Sequence, residues 1–212
     1  MDVVIASTVL IVTSPVMLAT AIYIKLFSRG PAIYASQRVG YAGNEFTMFK
    51  FRTMAVGTSD KSHKEHMQSL IQSSDETDSA MSSQCMNKLD DDDARLIPMS
   101  SMIRKSCVDE LPQLWNVLRG EMSLIGPRPA IPYELEAYHR WHHGRLNAVP
   151  GMTGLWQVSG KNRLSFREMV ALDIRYAKEM TLLSDVGILA RTPTAIVQQI
   201  GEYVDSRRSS HV

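Results

Sequence analysis

From Val3 to Phe27 the chain is apolar, with no charge before Lys25 and hydroxyls as its only polar side chains. As a helix at about 1.5 Å per residue this stretch is about 37 Å long, enough to cross a hydrocarbon core of about 30 Å. No basic segment precedes it and no clear cleavage site follows, so the pattern predicts a membrane-inserted helix rather than a signal peptide. Pro15 lies in mid-run, where it removes a backbone donor and clashes with the Ile11 carbonyl; a kink is expected. Ser14 is placed to bond a freed carbonyl. The pattern fits either a kinked span or a hairpin that enters and leaves by one leaflet. Lys25, Arg29, Arg38, Lys50 and Arg52 all follow the segment, which places the next domain in the cytoplasm under either topology.

Past Phe27 the period of the pattern changes. Ala32–Val39 and Glu45–Met54 alternate as two strands around a Gly40–Asn44 turn. Alternation puts Phe49, Phe51 and Thr53 on one face and Met48, Lys50 and Arg52 on the other. Two cations so spaced suit a phosphate group. Residues 55–101 form a polar insertion, with a short helix over His63–Gln72 and a loop over Ser73–Ser83. Helical spacing returns at Leu111, Leu114, Trp115 and Leu118, and Gly120 ends that helix. Gly126–Pro129 is a tight turn that presents Arg128. Pro132–His143 reads as a helix with proline at its first position and Gly144 past its end. Val149–Lys161 has too many glycines for a regular element. Gly151, Gly154 and Gly160 permit main chain to approach a ligand closely. Trp156 and Gln157 are placed to face a base or sugar, and Arg145, Lys161 and Arg163 suit phosphate. Ser165 and Glu168 form a capping box that opens a helix to about Lys178. A last helix starts at Ser184-Asp185, with Pro193 kinking or dividing it. The fold class expected is α+β: an N-terminal membrane helix over residues 1–27, then a small, mostly helical domain over 28–212 with a short β-hairpin.

Charge sharpens this picture. The net charge is +1, which gives no reason to expect a nucleic-acid partner. Ala55–Ser100 holds nine acidic and four basic residues, so the remainder carries net +6. A basic body suits phosphorylated ligands and an anionic membrane surface. The run Asp90–Asp93 is expected to be a solvated acidic turn, because consecutive residues rarely converge on one ion. His139, His142 and His143 have no metal-ligand spacing. Cys85 and Cys107 form neither a CxxC pair nor a disulfide framework, which fits a reducing compartment.

The candidate chemistry centres on Asp109 and Glu110, adjacent carboxylates at a helix start. Either Ser106 and Asp109 make a capping-box-like spacing, or Asp109 is itself the N-cap with Pro112 in the first turn. Both readings put the acids at the positive end of a helix dipole, where anions are favoured. A purely structural cap has the same spacing.

The segment DELPQLWNVLRGEMSLIGPRP, Asp109–Pro129, closely resembles the signature of the bacterial sugar transferases, the small monotopic phosphoglycosyl transferases. Ser14-Pro15, QRVG at Gln37–Gly40, KFRTM at Lys50–Met54 and PGMTGLWQVSGK at Pro150–Lys161 match the same family in the same order. The resemblance covers nearly the whole chain. It implies a re-entrant membrane helix broken at Ser14-Pro15 and a site at the cytoplasmic face of the bacterial inner membrane. It implies transfer of a sugar-1-phosphate from a UDP-sugar to undecaprenyl phosphate, with Mg²⁺ as cofactor. In that reading Asp109 is the nucleophile and the residue that touches the metal, and Glu110 positions one or the other. Lys50, Arg52, Arg104, Arg128, Arg145, Gln157 and Lys161 are the substrate-binding candidates. The competing readings are a non-catalytic membrane scaffold of a glycan-assembly complex and a diphosphate hydrolase. Self-association, the sugar and the pathway stay open.

Overall fold

The structure, a computed structural model, describes residues 1–54, 61–73 and 96–209. Asp90–Asp93, Cys85 and nearly all of the loop expected over Ser73–Ser83 lie outside the described residues.

α1 (Asp2–Phe27) is one helix that runs through Pro15, without the break expected at Ser14-Pro15. The Ile11 carbonyl, which Pro15 cannot bond, accepts the Ser14 hydroxyl at 2.8 Å, as expected. The hydroxyls of Thr8, Thr13 and Thr20 likewise donate to carbonyls four residues back. These side chains are therefore satisfied without water. One stripe of α1 faces the domain, with Ala6 and Ile24 buried, while Val4, Ile11, Val12, Leu18 and Leu26 stand exposed. Both ends are tied to the same body. The Ser123 hydroxyl donates to the Asp2 carboxylate at 2.6 Å, and the Tyr23 hydroxyl donates to the Pro98 carbonyl at 2.7 Å. Ile24 packs with Phe51 and Ile97.

β1 (Ile33–Val39) and β2 (Glu45–Phe51) form the expected antiparallel hairpin, in a register that sets Tyr34 opposite Lys50 and Ser36 opposite Met48. β2 stops before the expected Met54, although the Arg52 N–H still bonds Ala32 at 2.8 Å. Met48 is buried against Leu114 and Val117, so alternation sends this face of β2 inward at Met48 and toward the acids at Lys50. α2 (Lys61–Ser73) matches the short helix expected there and seats Met67, Leu70 and Ile71 against Phe166 and Met169.

α3 (Ser100–Lys105), a 3₁₀ turn at Val108–Glu110 and α4 (Gln113–Leu118) follow one another, and Gly120 ends the run with φ +74°. That positive φ is the C′ conformation that favours glycine. β3 (Ser123–Ile125) carries the chain into the core. The expected Pro132–His143 helix is instead a short α5 (Pro132–Leu135) and a separate 3₁₀ segment at His142–Asn147. Glu134 and Arg145, fully buried in ion pairs described below, hold the two parts against the domain. β4 (Gly151–Thr153) pairs parallel with β3, and α6 (Leu155–Val158) follows. α7 (Phe166–Glu179) begins at the expected capping box, with the Ser165 N–H bonding Glu168 at 2.8 Å. α8 (Leu182–Ser209) continues through Pro193 undivided.

Two glycines of the Val149–Lys161 segment, Gly151 and Gly154, are required by close packing against Gly126. A Cβ on Gly126 would lie 2.2 Å from the Val149 carbonyl, one on Gly151 2.0 Å from the Gly126 nitrogen, and one on Gly154 2.2 Å from the Gly126 carbonyl. Main chain here approaches main chain. This contact joins the turn before Arg128 to β4.

Gly126→Ala is expected to destabilise the protein by about 1–3 kcal/mol or more, because backbone on both sides cannot give way. Thermal unfolding in detergent measures it; an unchanged midpoint would refute the contact.

Candidate functional site

Neither expected cap forms at the acids. The Ser106 hydroxyl donates to the Ile103 carbonyl at 3.1 Å. Cys107 adopts φ 58°, which turns the chain out of α3 into the Val108–Glu110 turn, and Pro112 stands at the N-cap of α4. A helix of six residues has little macrodipole, so cationic side chains must supply the positive potential.

They are close by. The Val108–Glu110 turn packs against β2 and adjoins α3. The Lys50 ammonium donates to Glu110 at 3.2 Å, with the two side chains 27% and 31% exposed. Asp109 is 8% exposed, so Glu110 is the more open of the two acids. α3 brings Arg104 to the same turn. Arg52 follows Lys50 on the same strand face, and its Nη1 is buried with no hydrogen-bond partner among the described residues. The structure thus pairs Lys50 with Glu110 next to Asp109, with α3, which carries Arg104, adjoining the same turn and Arg52 at the strand end.

Arg128 and Arg145 belong to a second charged cluster. The Arg128 Nη1 bonds both oxygens of Glu134, at 3.1 and 3.2 Å. Glu134 also accepts the Ile131 N–H at 3.1 Å and has no exposed surface. Arg145 is fully buried, ion-paired with Asp173 and donating to the Tyr138 hydroxyl at 2.8 Å and the Arg128 carbonyl at 3.1 Å. The structure thus shows Arg145 in a buried ion pair, with its Nε without a hydrogen-bond partner among the described residues. Arg38 adjoins this cluster, because Val39 pairs its backbone with Ala130 at 2.8 and 3.2 Å.

The cluster perturbs its members. Burial raises the Glu134 carboxyl, but Arg128, Arg38 and Arg145 outweigh it and hold the group below its ordinary value. Burial, and then the Arg128 charge, lower Arg38 to about 10. Burial pushes Asp173 up to about 6 against the pull of Arg145, and Tyr138 up to about 12.

The remaining candidates are dispersed. Lys161 bonds Gln199 of α8 at 2.6 Å. Trp156 is buried in the core cluster of α2 and α7 instead of facing a ligand. The Gln157 Oε1 is buried without a hydrogen-bond partner among the described residues. A cavity of about 470 Å³ lies elsewhere, lined by Lys25–Gly30 at the end of α1.

Sequence reasoning missed Glu134 and Asp173. Asp173 had a signal: it falls on the apolar stripe of Phe166, Met169 and Val170, where a carboxylate must have a buried cation. Among the described residues no three His, Cys, Asp or Glu side chains converge as a metal site. Asp109 and Glu110 are adjacent oxygen donors of the type that Mg²⁺ takes together with substrate oxygens and water.

The sequence matches the family of bacterial sugar transferases over residues 1–199. It is 38% identical to an exopolysaccharide production protein, ExoY, of Sinorhizobium fredii, covering 95% of this chain and 86% of that one. It is 39% identical to an undecaprenyl-phosphate galactose phosphotransferase of Salmonella typhimurium, covering 95% of this chain and 40% of that protein. An uncharacterized sugar transferase of Haemophilus influenzae is 40% identical over 96% of this chain, and the match spans 41% of its length. The chain therefore spans about two fifths of two of these relatives and most of the third.

Glu134→Gln leaves buried guanidiniums without their counterion and is expected to cost about 3–5 kcal/mol at pH 7. The folded-state pKa of Glu134 is depressed, so its contribution is present above the ordinary value of 4.5 and is lost as pH falls through the lower folded value. Unfolding measured from pH 7 to 3 should show the gap between wild type and variant closing below about 4.5. A constant gap would count against the pairing.

Proposed function

We propose a reaction for this chain on one premise: it belongs to the bacterial sugar transferase family. It moves a sugar-1-phosphate from a UDP-sugar to undecaprenyl phosphate, giving an undecaprenyl-diphosphate-sugar and UMP. The Salmonella relative's name supports the lipid acceptor. The observation that carries the reading is the Lys50–Glu110 ion pair next to Asp109, with α3, which carries Arg104, adjoining the same turn.

Asp109 attacks the phosphorus bonded to the sugar. The bond from that phosphorus to the bridging oxygen breaks and UMP leaves, so the enzyme carries the phosphosugar as an acyl phosphate. An oxygen of the lipid phosphate then attacks the same phosphorus and frees the Asp109 carboxylate. Lys50 and Arg104 stabilise charge on the transferring group, and Glu110 holds Lys50 in reach of it. Asp109 and Glu110 would hold Mg²⁺, which neutralises diphosphate charge and eases departure of UMP. Arg128, bound to Glu134, orders the loop after β3.

α1 anchors the site from one side of the membrane, with the domain on the cytoplasmic face. One feature supports a one-leaflet topology over a span: Asp2 and Tyr23 are bonded to one domain, which a bilayer-crossing helix would have to pull apart. The exposed stripe from Val4 to Leu26 meets lipid. Holding the site at headgroup depth joins a soluble donor to an acceptor confined to the bilayer.

Asp109→Asn is expected to lower transfer by on the order of 10⁴-fold or more, and substantial retained activity would refute the nucleophile. Donor and Mg²⁺ without lipid should release about one equivalent of UMP per enzyme, as an acyl-phosphate intermediate requires. Strict dependence of that release on lipid would favour direct transfer, and free sugar phosphate as product would favour hydrolysis.

A further inference from the structure

β2 has a free edge on the side away from β1, and one side chain occupies it. Asn116 of α4 is fully buried. Its Oδ1 accepts the Phe49 N–H at 3.1 Å, and its Nδ2 donates to the Thr47 carbonyl at 2.7 Å. The carboxamide thus takes the place of a peptide group in a neighbouring strand. Its orientation is chemically forced. Nδ2 also donates to Glu121 at 2.7 Å, and a carboxylate and a carbonyl both accept, so the amide nitrogen must face them and the oxygen must face Phe49.

Both anchored residues lie in β2 just before Lys50. Phe49 immediately precedes it, and α4 continues the chain from Glu110 through Leu111 and Pro112. The contact therefore joins the strand that carries the cation to the segment that carries the acids, on the side opposite the β1 ladder. A slip of one residue in β2 would turn Lys50 to the other face. Packing of Met48 against Leu114 resists such a slip only loosely, since apolar contact is non-directional. The Asn116 bonds fix it by direction.

We infer that Asn116 is a positioning residue: it locks β2 onto α4 in the register that brings Lys50 to Glu110. Its kinetic consequence rests on the reaction proposed above; its geometric consequence does not.

Two measurements separate these. A zero-length carbodiimide joins an ammonium to a carboxylate in contact, so Lys50 and Glu110 at 3.2 Å should yield a cross-linked peptide pair by mass spectrometry. Lys64 and Glu136, at 3.3 Å between α2 and α5, serve as the control for an intact fold. Asn116→Ala should abolish the Lys50–Glu110 cross-link and retain the control. Glu121→Ala removes the second Nδ2 bond, which fixes the carboxamide's orientation, while leaving the Thr47 and Phe49 partners in place, and should reduce the same cross-link severalfold. Glu121 is partly exposed, so this variant decides the matter should Asn116→Ala lose both cross-links by unfolding. Retention of the Lys50–Glu110 product at wild-type yield in a variant that keeps the control would overturn the inference.

The second measurement is a double-mutant cycle on kcat for UMP release. Alone, Asn116→Ala should lower kcat by on the order of 10²-fold, the scale of an ångström-sized misplacement. In a Lys50→Met background it should cost less than about twofold more, because the interaction it supports is already gone. Multiplicative effects would mean a merely structural role and would overturn the inference. Absence of UMP release in the wild type would refute the proposed reaction, and the cross-link would still decide for or against Asn116.

Discussion

An apolar helix whose two ends are bonded to one body cannot travel away from it. Asp2 is held by Ser123 beside β3, and Tyr23 by Pro98 just before α3. About 30 Å of helix lies between those bonds, so α1 serves as a keel along the domain rather than a stalk beneath it. The rest of the architecture follows. Ala6 enters the cluster that contains Met48 and Leu114, and Ile24 enters the one that contains Phe51. The keel therefore touches the same strand and helix that present Lys50 and Asp109. A change in the depth of α1 in lipid would carry the acids with it, without any flexible joint among the packed contacts.

Charge inside the molecule divides between structure and chemistry. Arg128 and Arg145 look alike in sequence to Lys50 and Arg104, since all four stand in motifs rich in basic and turn residues. Burial sets Arg145 apart. Its side chain has no exposure and meets Asp173, whereas Lys50 beside Glu110 and Arg128 beside Glu134 stay 27% and 22% open. A buried guanidinium must be answered by a carboxylate. Asp173 supplies it from α7, and Glu134 answers Arg128 from six residues further on.

What the sequence made legible is local in origin. The hairpin, the capping box at Ser165, the Ser14 bond to Ile11 and the end of α4 at Gly120 each depend on residues a few positions apart, and all appear as read. The grouping of Lys50 with the acids came from motif resemblance rather than spacing, and the contact the structure shows is the Lys50–Glu110 ion pair. The misreadings share a cause. The caps at Ser106 or Asp109 failed because Cys107 adopts a left-handed conformation that a cysteine does not announce. The continuous helix after Pro132 failed because Glu134 and Arg145 answer to partners outside it. The close packing of Gly151 and Gly154 went unread because a sequence cannot show that Gly126 lies against them.

The Asn116 contact also bears on solubility. A two-stranded hairpin leaves unpaired N–H and C=O groups along its flanks, and such a flank is a template on which another chain can add a strand. At Thr47 and Phe49 these groups are already taken by a side chain of the same molecule. Part of the edge is thus covered from within, in a protein whose exposed apolar helix already gives it ample reason to associate with its neighbours.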